Sequence, residues 1–301
     1  LPHNFARNIA MNATTQQPVQ HITPELRRWI VAQAEAGCQP EEVVRAMVAS
    51  GWHEDIALEA LEQTLRSRLE EVREGRQAQV LPGSPVPEPD VGEGVNVIVA
   101  EGHAVEVVTT LAHPRVVVFG NLLTGAECDE LMALARPRLE RSETVDTATG
   151  GSEVNAARTS DGMFFERGEH PVIVRLERRI AALVNWPVER GEGLQILRYR
   201  PGARYEPHYD YFDPEKPGTP RILERGGQRV GTLVMYLNTP ERGGATTFPD
   251  AGLQVAPVRG SAVFFSYERA HPSTRTLHGG APVLAGEKWV ATKWLREGVF
   301  R

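Results

Sequence analysis

From Leu197 to Trp294 the chain is a succession of short β-prone runs cut by Gly and Pro, with no long helical pattern among them. Arg229 to Asn238 (RVGTLVMYLN), Gly260 to Tyr267 (GSAVFFSY) and Trp289 to Leu295 (WVATKWL) are rich in β-branched and aromatic residues and read as strands. Short strands in this number must stack as two sheets or close on themselves. The expected fold is therefore a β-sandwich or jelly roll.

The same stretch holds the residues best suited to chemistry. His208 and Asp210 form a His-x-Asp pair, and residues i and i+2 of a strand share a face. His278 lies far downstream, where a closed β-structure can bring it across. Two histidines and one carboxylate suit a metal site of the facial-triad type, with positions left open for other ligands. A lone His-x-Asp is a weak signal, and so is Lys288 ten residues after His278. Their joint occurrence carries the reading. His271 reads as a loop residue rather than a fourth ligand.

Several motifs in order resemble the prolyl 4-hydroxylase group of Fe(II)/2-oxoglutarate-dependent dioxygenases, of bacterial type with an N-terminal helical extension. They are VVVFGNLLTGAECDELM (116–132), Arg158-Thr159-Ser160, LQILRYRPGARYEPHYDYF (194–212), GGQRVGTLVMYLN (226–238), GGATTFP (243–249) and LHGGAPVLAGEKWVATKWLR (277–296). The resemblance spans roughly residues 114–298, about two thirds of the chain. It implies a double-stranded β-helix (jelly-roll) domain and prolyl 4-hydroxylation of a proline-containing peptide or protein. Fe(II), 2-oxoglutarate and O2 are the implied cofactors, with L-ascorbate a further candidate. His208, Asp210 and His278 would bind the iron, and Lys288 the distal carboxylate of 2-oxoglutarate. Tyr199, Thr246 and Tyr236 would line the cosubstrate pocket. Tyr205, Arg229 and Trp294 would hold the substrate proline. Read as residues alone, Tyr199, Tyr236 and Trp294 also fit ordinary core aromatics, Thr246 a strand former and Arg229 a surface charge.

Two other functions stay open on the sequence: the same chemistry on a free amino acid or another side chain, and a non-enzymatic scaffold whose N-terminal helices do the binding. The presence of His208, Asp210, His278 and Lys288 together argues against the scaffold. The N-terminal helices are too short to match the peptide-binding domain of animal collagen hydroxylases, so collagen-like repeats are not implied.

The rest of the chain yields an α+β organisation. Residues 1–21 read as disordered. Residues 22–72 read as three short amphipathic helices, loosely ubiquitin-associated-like. In them Thr23 caps Pro24, Gly37 and Gly51 act as stops, and the third helix turns Ala57, Leu58, Leu61, Leu65 and Leu69 inward. This unit is a candidate docking module for a protein partner. Residues 73–94 read as an extended linker, with four prolines and three glycines between Pro82 and Gly94. Residues 95–301 form the dioxygenase domain. In it Val95–Val99 and Val105–Leu111 read as a hairpin, and helices opening after Thr124 and at Pro171 buttress one sheet. Loops around Thr149–Ser152 and over 213–228 are expected to order over a peptide. A net charge of -6 argues against a nucleic-acid binder. The absence of an apolar leader or spanning run argues against a membrane. Cys38 and Cys128 form no disulfide framework, and a cytoplasmic location is expected.

Overall fold

The computed structural model describes residues 22–80, 83–142, 144–145, 152–153 and 159–301. The expectations for residues 1–21, for Arg158 and for most of the 149–152 loop lie outside the described residues. The chain divides into two compact units, between residues 81 and 82.

The first unit is a three-helix bundle of α1 (Pro24–Glu35), α2 (Pro40–Ala49) and α3 (Glu54–Val80). Thr23 accepts from the Leu26 amide to cap α1, and Pro24 takes the first-turn position where no N–H is needed. Gly37 and Gly51 follow α1 and α2 with φ of +82° and +94°, a region that only glycine enters at low cost. Ile30, Val43, Val44, Met47, Ala57, Ala60 and Leu61 form the core. Two expectations fail here. Leu58 and Leu69 are 49% and 69% exposed. Four residues turn a helix by about 400°, so the Leu61–Leu65–Leu69 row drifts about 40° per step off the buried face. The third helix also runs to Val80 rather than 72. Its last turns are mostly Glu, Arg, Gln and Ala, all good helix formers.

The remainder of the expected linker is not a free spacer. Residues 83–91 lie along the second unit. The Ser84 amide donates to the Glu268 carbonyl and the Glu88 amide to the Val184 carbonyl, both at 2.8 Å. Pro85, Pro87 and Pro89 have no N–H to satisfy, so an extended strand can pack there with few unpaired groups. Pro87 Cγ comes within 2.6 Å of where a Cβ on Gly231 would sit, so this close approach requires glycine.

The second unit is a jelly roll of two facing sheets. β1 (Val97–Ala100) and β2 (His103–Leu111) form the expected hairpin, turning at Glu101-Gly102 with both φ positive. They extend a nine-stranded antiparallel sheet with β3 (Arg115–Gly120), β4 (Glu140–Arg141), β7 (Asp161–Phe165), β8 (Leu194–Tyr199), β10 (Arg229–Tyr236), β14 (Ala262–Ser266) and β17 (Lys288–Arg296). Its spatial order is β1-β2-β3-β14-β10-β17-β8-β7-β4. The smaller sheet holds β9 (Tyr205–His208), β12 (Thr246–Phe248), β13 (Leu253–Val255) and β15 (His278–Gly280), in the order β13-β12-β15-β9. Two-residue strands β5 (Thr144–Val145) and β6 (Ser152–Glu153) pair with each other, as do β11 (Arg242–Gly243) and β16 (Val283–Ala285).

The central strands are apolar on both faces, and period-2 alternation divides their side chains between two cores. Leu194, Ile196, Leu233, Met235, Phe264, Ala291 and Leu295 meet α4 (Gly125–Ala135) and α5 (Pro171–Leu183). Leu197, Tyr199, Tyr236, Val263, Phe265 and Val290 fill the space between the sheets. Thr124 caps α4, as the sequence predicts, and the structure adds a reciprocal pair with Glu127. Pro171 opens α5, capped by His170. α4 stops at Ala135, and Pro137 in the next turn cannot continue it.

Candidate active site

The smaller sheet brings the two histidines together. β9 and β15 pair antiparallel with His278 directly opposite His208, and the rings lie 4.4 Å apart. Asp210 follows β9 and turns its carboxylate between them. Oδ1 is 3.5 Å from His208 Nε2, and Oδ2 is 3.5 Å from His278 Nε2. One ligand atom from each residue lies within 4.8 Å of the others. Each histidine bonds through Nδ1 to a backbone carbonyl at 2.9 Å, His208 to Glu206 and His278 to Thr276. That contact places the ring proton on Nδ1 and turns the Nε2 lone pair toward Asp210.

The charge state suits a metal. Burial pushes the His278 pKa down to about 4, so its ring is neutral at pH 7. Burial opposes ionisation of Asp210, but His278, His208 and Arg229 outweigh it and hold the carboxyl well below the usual range. Two imidazoles and one carboxylate converging on one point match the donor set of a facial Fe(II) site.

Lys288 lies at the start of β17, opposite Tyr199 of β8. It is 4% exposed, and among the described residues no carboxylate pairs with it. Burial alone draws its pKa down to about 8. Its Nζ sits 5.4 Å from the Tyr199 ring and 5.7 Å from the Tyr236 ring. The Tyr236 hydroxyl donates to Thr246 Oγ1 at 2.7 Å. A buried ammonium without a counter-ion, ringed by hydroxyl-bearing side chains, fits one end of a dicarboxylate.

Of the three residues expected to hold substrate, Tyr205 stacks on the His208 ring at 3.7 Å. Trp294 shares the interior face of β17 with Lys288 by strand alternation. It is 8% exposed, and its indole N–H is buried without a partner among the described residues. Arg229 is not the surface charge that one reading of the sequence allowed. It is buried, lies 4.0 Å from the Trp294 ring, and gives Nε and Nη2 to Glu192 at 2.6 and 3.0 Å. Only its Nη1 is turned toward the metal end, 3.4 Å from the Asp210 carbonyl. Glu192, which also accepts from Arg296 Nε at 2.7 Å, was not predicted from sequence. Its one local signal is a charged residue between two glycines ahead of an apolar strand. Thr232 and Tyr267 were missed too. Thr232 Oγ1 donates to Asp210 Oδ2 at 2.7 Å and lies 3.0 Å from the Tyr267 hydroxyl.

Comparison with known proteins agrees with this geometry. A model of the 2OG-Fe(II) oxygenase superfamily matches residues 194–296. Prolyl 4-hydroxylase 5 of Arabidopsis thaliana is 41% identical over 209 residues, covering 62% of this chain and 70% of the relative. The chain belongs to the prolyl 4-hydroxylase family. Prolyl 4-hydroxylase 1 of the same plant is 42% identical over 201 residues, 61% of this chain and 69% of the relative. Among solved structures, the viral collagen prolyl hydroxylase of Paramecium bursaria Chlorella virus-1 is 30% identical, with a TM-score of 0.46. The match covers 60% of this chain and 95% of that one. As a prolyl 4-hydroxylase family member, the chain is a 2-oxoglutarate-dependent dioxygenase that works with Fe(II), 2-oxoglutarate and O2. No described helix is long and apolar enough to cross a membrane.

Proposed function

We propose that this prolyl 4-hydroxylase acts on a proline-containing peptide or protein, with His208, Asp210 and His278 holding Fe(II) and Lys288 holding the far carboxylate of 2-oxoglutarate. The observation that carries this assignment is Lys288, a buried cation with no carboxylate partner in the described fold. With iron and cosubstrate bound, the chemistry supplied is oxidation of 2-oxoglutarate by O2 to succinate and CO2, with one oxygen atom inserted into a substrate C–H bond.

The chain's own residues position and exclude. Asp210 stays ionised, and the two Nδ1 contacts keep both imidazoles aimed. Tyr199, Tyr236 and Thr246 surround the Lys288 end with hydroxyls and aromatic faces. Tyr205 and Trp294 offer flat walls to a pyrrolidine ring, and Arg229 supplies a guanidinium for a peptide carbonyl. The segment 213–228, anchored where the Gln228 amide exchanges two 2.8 Å bonds with the Phe212 backbone, orders over the peptide. Residues 22–72 serve as a docking module for a protein partner, ahead of the dioxygenase domain. A cytoplasmic location completes the proposal and rests on the two unpaired cysteines.

The test is succinate release by the Fe(II)-loaded protein with proline-containing peptides and, separately, with free L-proline. Peptide-dependent succinate together with one added oxygen on proline is the expected result. Turnover of free proline alone would move the substrate from peptides to amino acids.

A further inference from the structure

Asp210 has two carboxylate oxygens, and the fold treats them differently. Oδ2 accepts from Thr232 Oγ1 at 2.7 Å in addition to lying 3.5 Å from His278 Nε2, whereas Oδ1, 3.5 Å from His208 Nε2, takes no further side-chain hydrogen bond among the described residues. Thr232 lies on β10 and is fully buried, and its Oγ1 is 3.0 Å from the hydroxyl of Tyr267, just past β14. A threonine hydroxyl has one proton. Since that proton goes to Oδ2, the Tyr267 hydroxyl must be the donor in the second contact. The result is a chain of two donors ending on one oxygen of the carboxylate. Tyr267 is itself fixed, because its amide donates to the Val230 carbonyl at 3.1 Å and its ring packs edge-on to Tyr211 at 6.1 Å.

A carboxylate that bound through both oxygens would take a coordination position that a facial site needs open for its other ligands. We infer that Thr232 and Tyr267 are positioning residues that occupy Oδ2 and so present Asp210 to the metal through Oδ1 alone. This rests on the triad assignment above.

The test is anaerobic Fe(II) titration, with Co(II) as a spectroscopic probe, on the full chain and four variants. Partners of this kind set metal affinity by about 10- to 100-fold. Thr232→Val should weaken Fe(II) by about that factor and alter the Co(II) ligand-field bands. Tyr267→Phe keeps the buried ring and should weaken Fe(II) by less. Because the two act in series, the double variant should bind no worse than Thr232→Val. Thr232→Ser should restore affinity and spectrum, which a packing role for the γ-methyl would not do. Unchanged Fe(II) affinity and Co(II) spectra in Thr232→Val and Tyr267→Phe would overturn the relay while leaving the triad standing. Losses that add in the double variant and follow thermal midpoint would overturn it as well. Failure of the unsubstituted protein to bind Fe(II) would overturn the triad and the relay together.

Discussion

Two lysines five residues apart on β17 are buried to nearly the same degree, Lys288 at 4% exposure and Lys293 at 2%. Their surroundings are opposite. An odd spacing on a strand puts them on different faces. Lys293 faces the helices, donates to Glu177 Oε1 at 2.6 Å and also bonds the Glu192 carbonyl. Lys288 faces the space between the sheets, with its Nζ near the Tyr199 and Tyr236 rings and no carboxylate partner among the described residues. A buried charge is costly unless it is paired. A cation that serves the fold carries its counter-ion in the same chain. A cation that serves a ligand leaves that place open, and the fold bears the cost until the ligand arrives.

Substitution should separate the two roles. Lys293→Met leaves Glu177 buried without its cation and should cost about 3–5 kcal/mol of unfolding free energy, read from urea denaturation. Its 2-oxoglutarate affinity, measured calorimetrically with metal present, should change little. The double variant Glu177→Leu/Lys293→Met should recover most of the lost stability. Lys288→Met should show the reverse pattern. Stability is unchanged or higher, while 2-oxoglutarate binding weakens by about 2–5 kcal/mol, the usual loss on removing one partner of a buried charge pair. A large stability loss in Lys288→Met would break the comparison.

Titration sharpens it. The Lys288 pKa falls from 10.5 to about 8 on folding, so between those values the unfolded chain holds a proton that the folded chain has released. This group therefore raises stability as pH climbs through that window, by up to about 1.4 kcal/mol per unit. Cosubstrate affinity moves the other way. The ammonium is present below about 8 and lost above it, so 2-oxoglutarate affinity should fall about tenfold per unit on the alkaline side. Lys288→Met should flatten both slopes. Equal slopes in the variant and the unsubstituted protein would assign them to another group.

Much of the site was legible because its signals are local. His208 and Asp210 sit two apart after a turn-rich run, and Lys288 opens a strand recognisable by composition. The resemblance then supplied roles for Tyr199, Tyr236 and Thr246. What stayed hidden was long-range pairing. Glu177 is 116 positions from Lys293, Glu192 is 37 from Arg229, and Tyr267 is 35 from Thr232. No periodicity connects such residues. Strand alternation tells which face a side chain takes, but the partner it meets depends on which strands become neighbours. Arg229 illustrates the gap: its position was noted, yet its burial against Glu192 appears only once β10, β17 and the approach to β8 are assembled.

The N-terminal bundle tests the same lesson with a smaller effect. Its sequence placed Leu58 and Leu69 with the core, and the structure exposes them, whereas Leu61 is 6% exposed among Ile30, Met47 and Ala57. Leu61→Ala removes buried methyl groups and should cost about 2–5 kcal/mol. Leu69→Lys replaces one good helix former by another on an exposed face and should shift stability by no more than about 0.5 kcal/mol. Urea unfolding followed at the bundle's Trp29 and Trp52 would read both. A loss above about 1 kcal/mol in Leu69→Lys would mean that this face is covered in solution. The inward pattern read from the sequence would then describe a surface that a partner or another part of the chain completes.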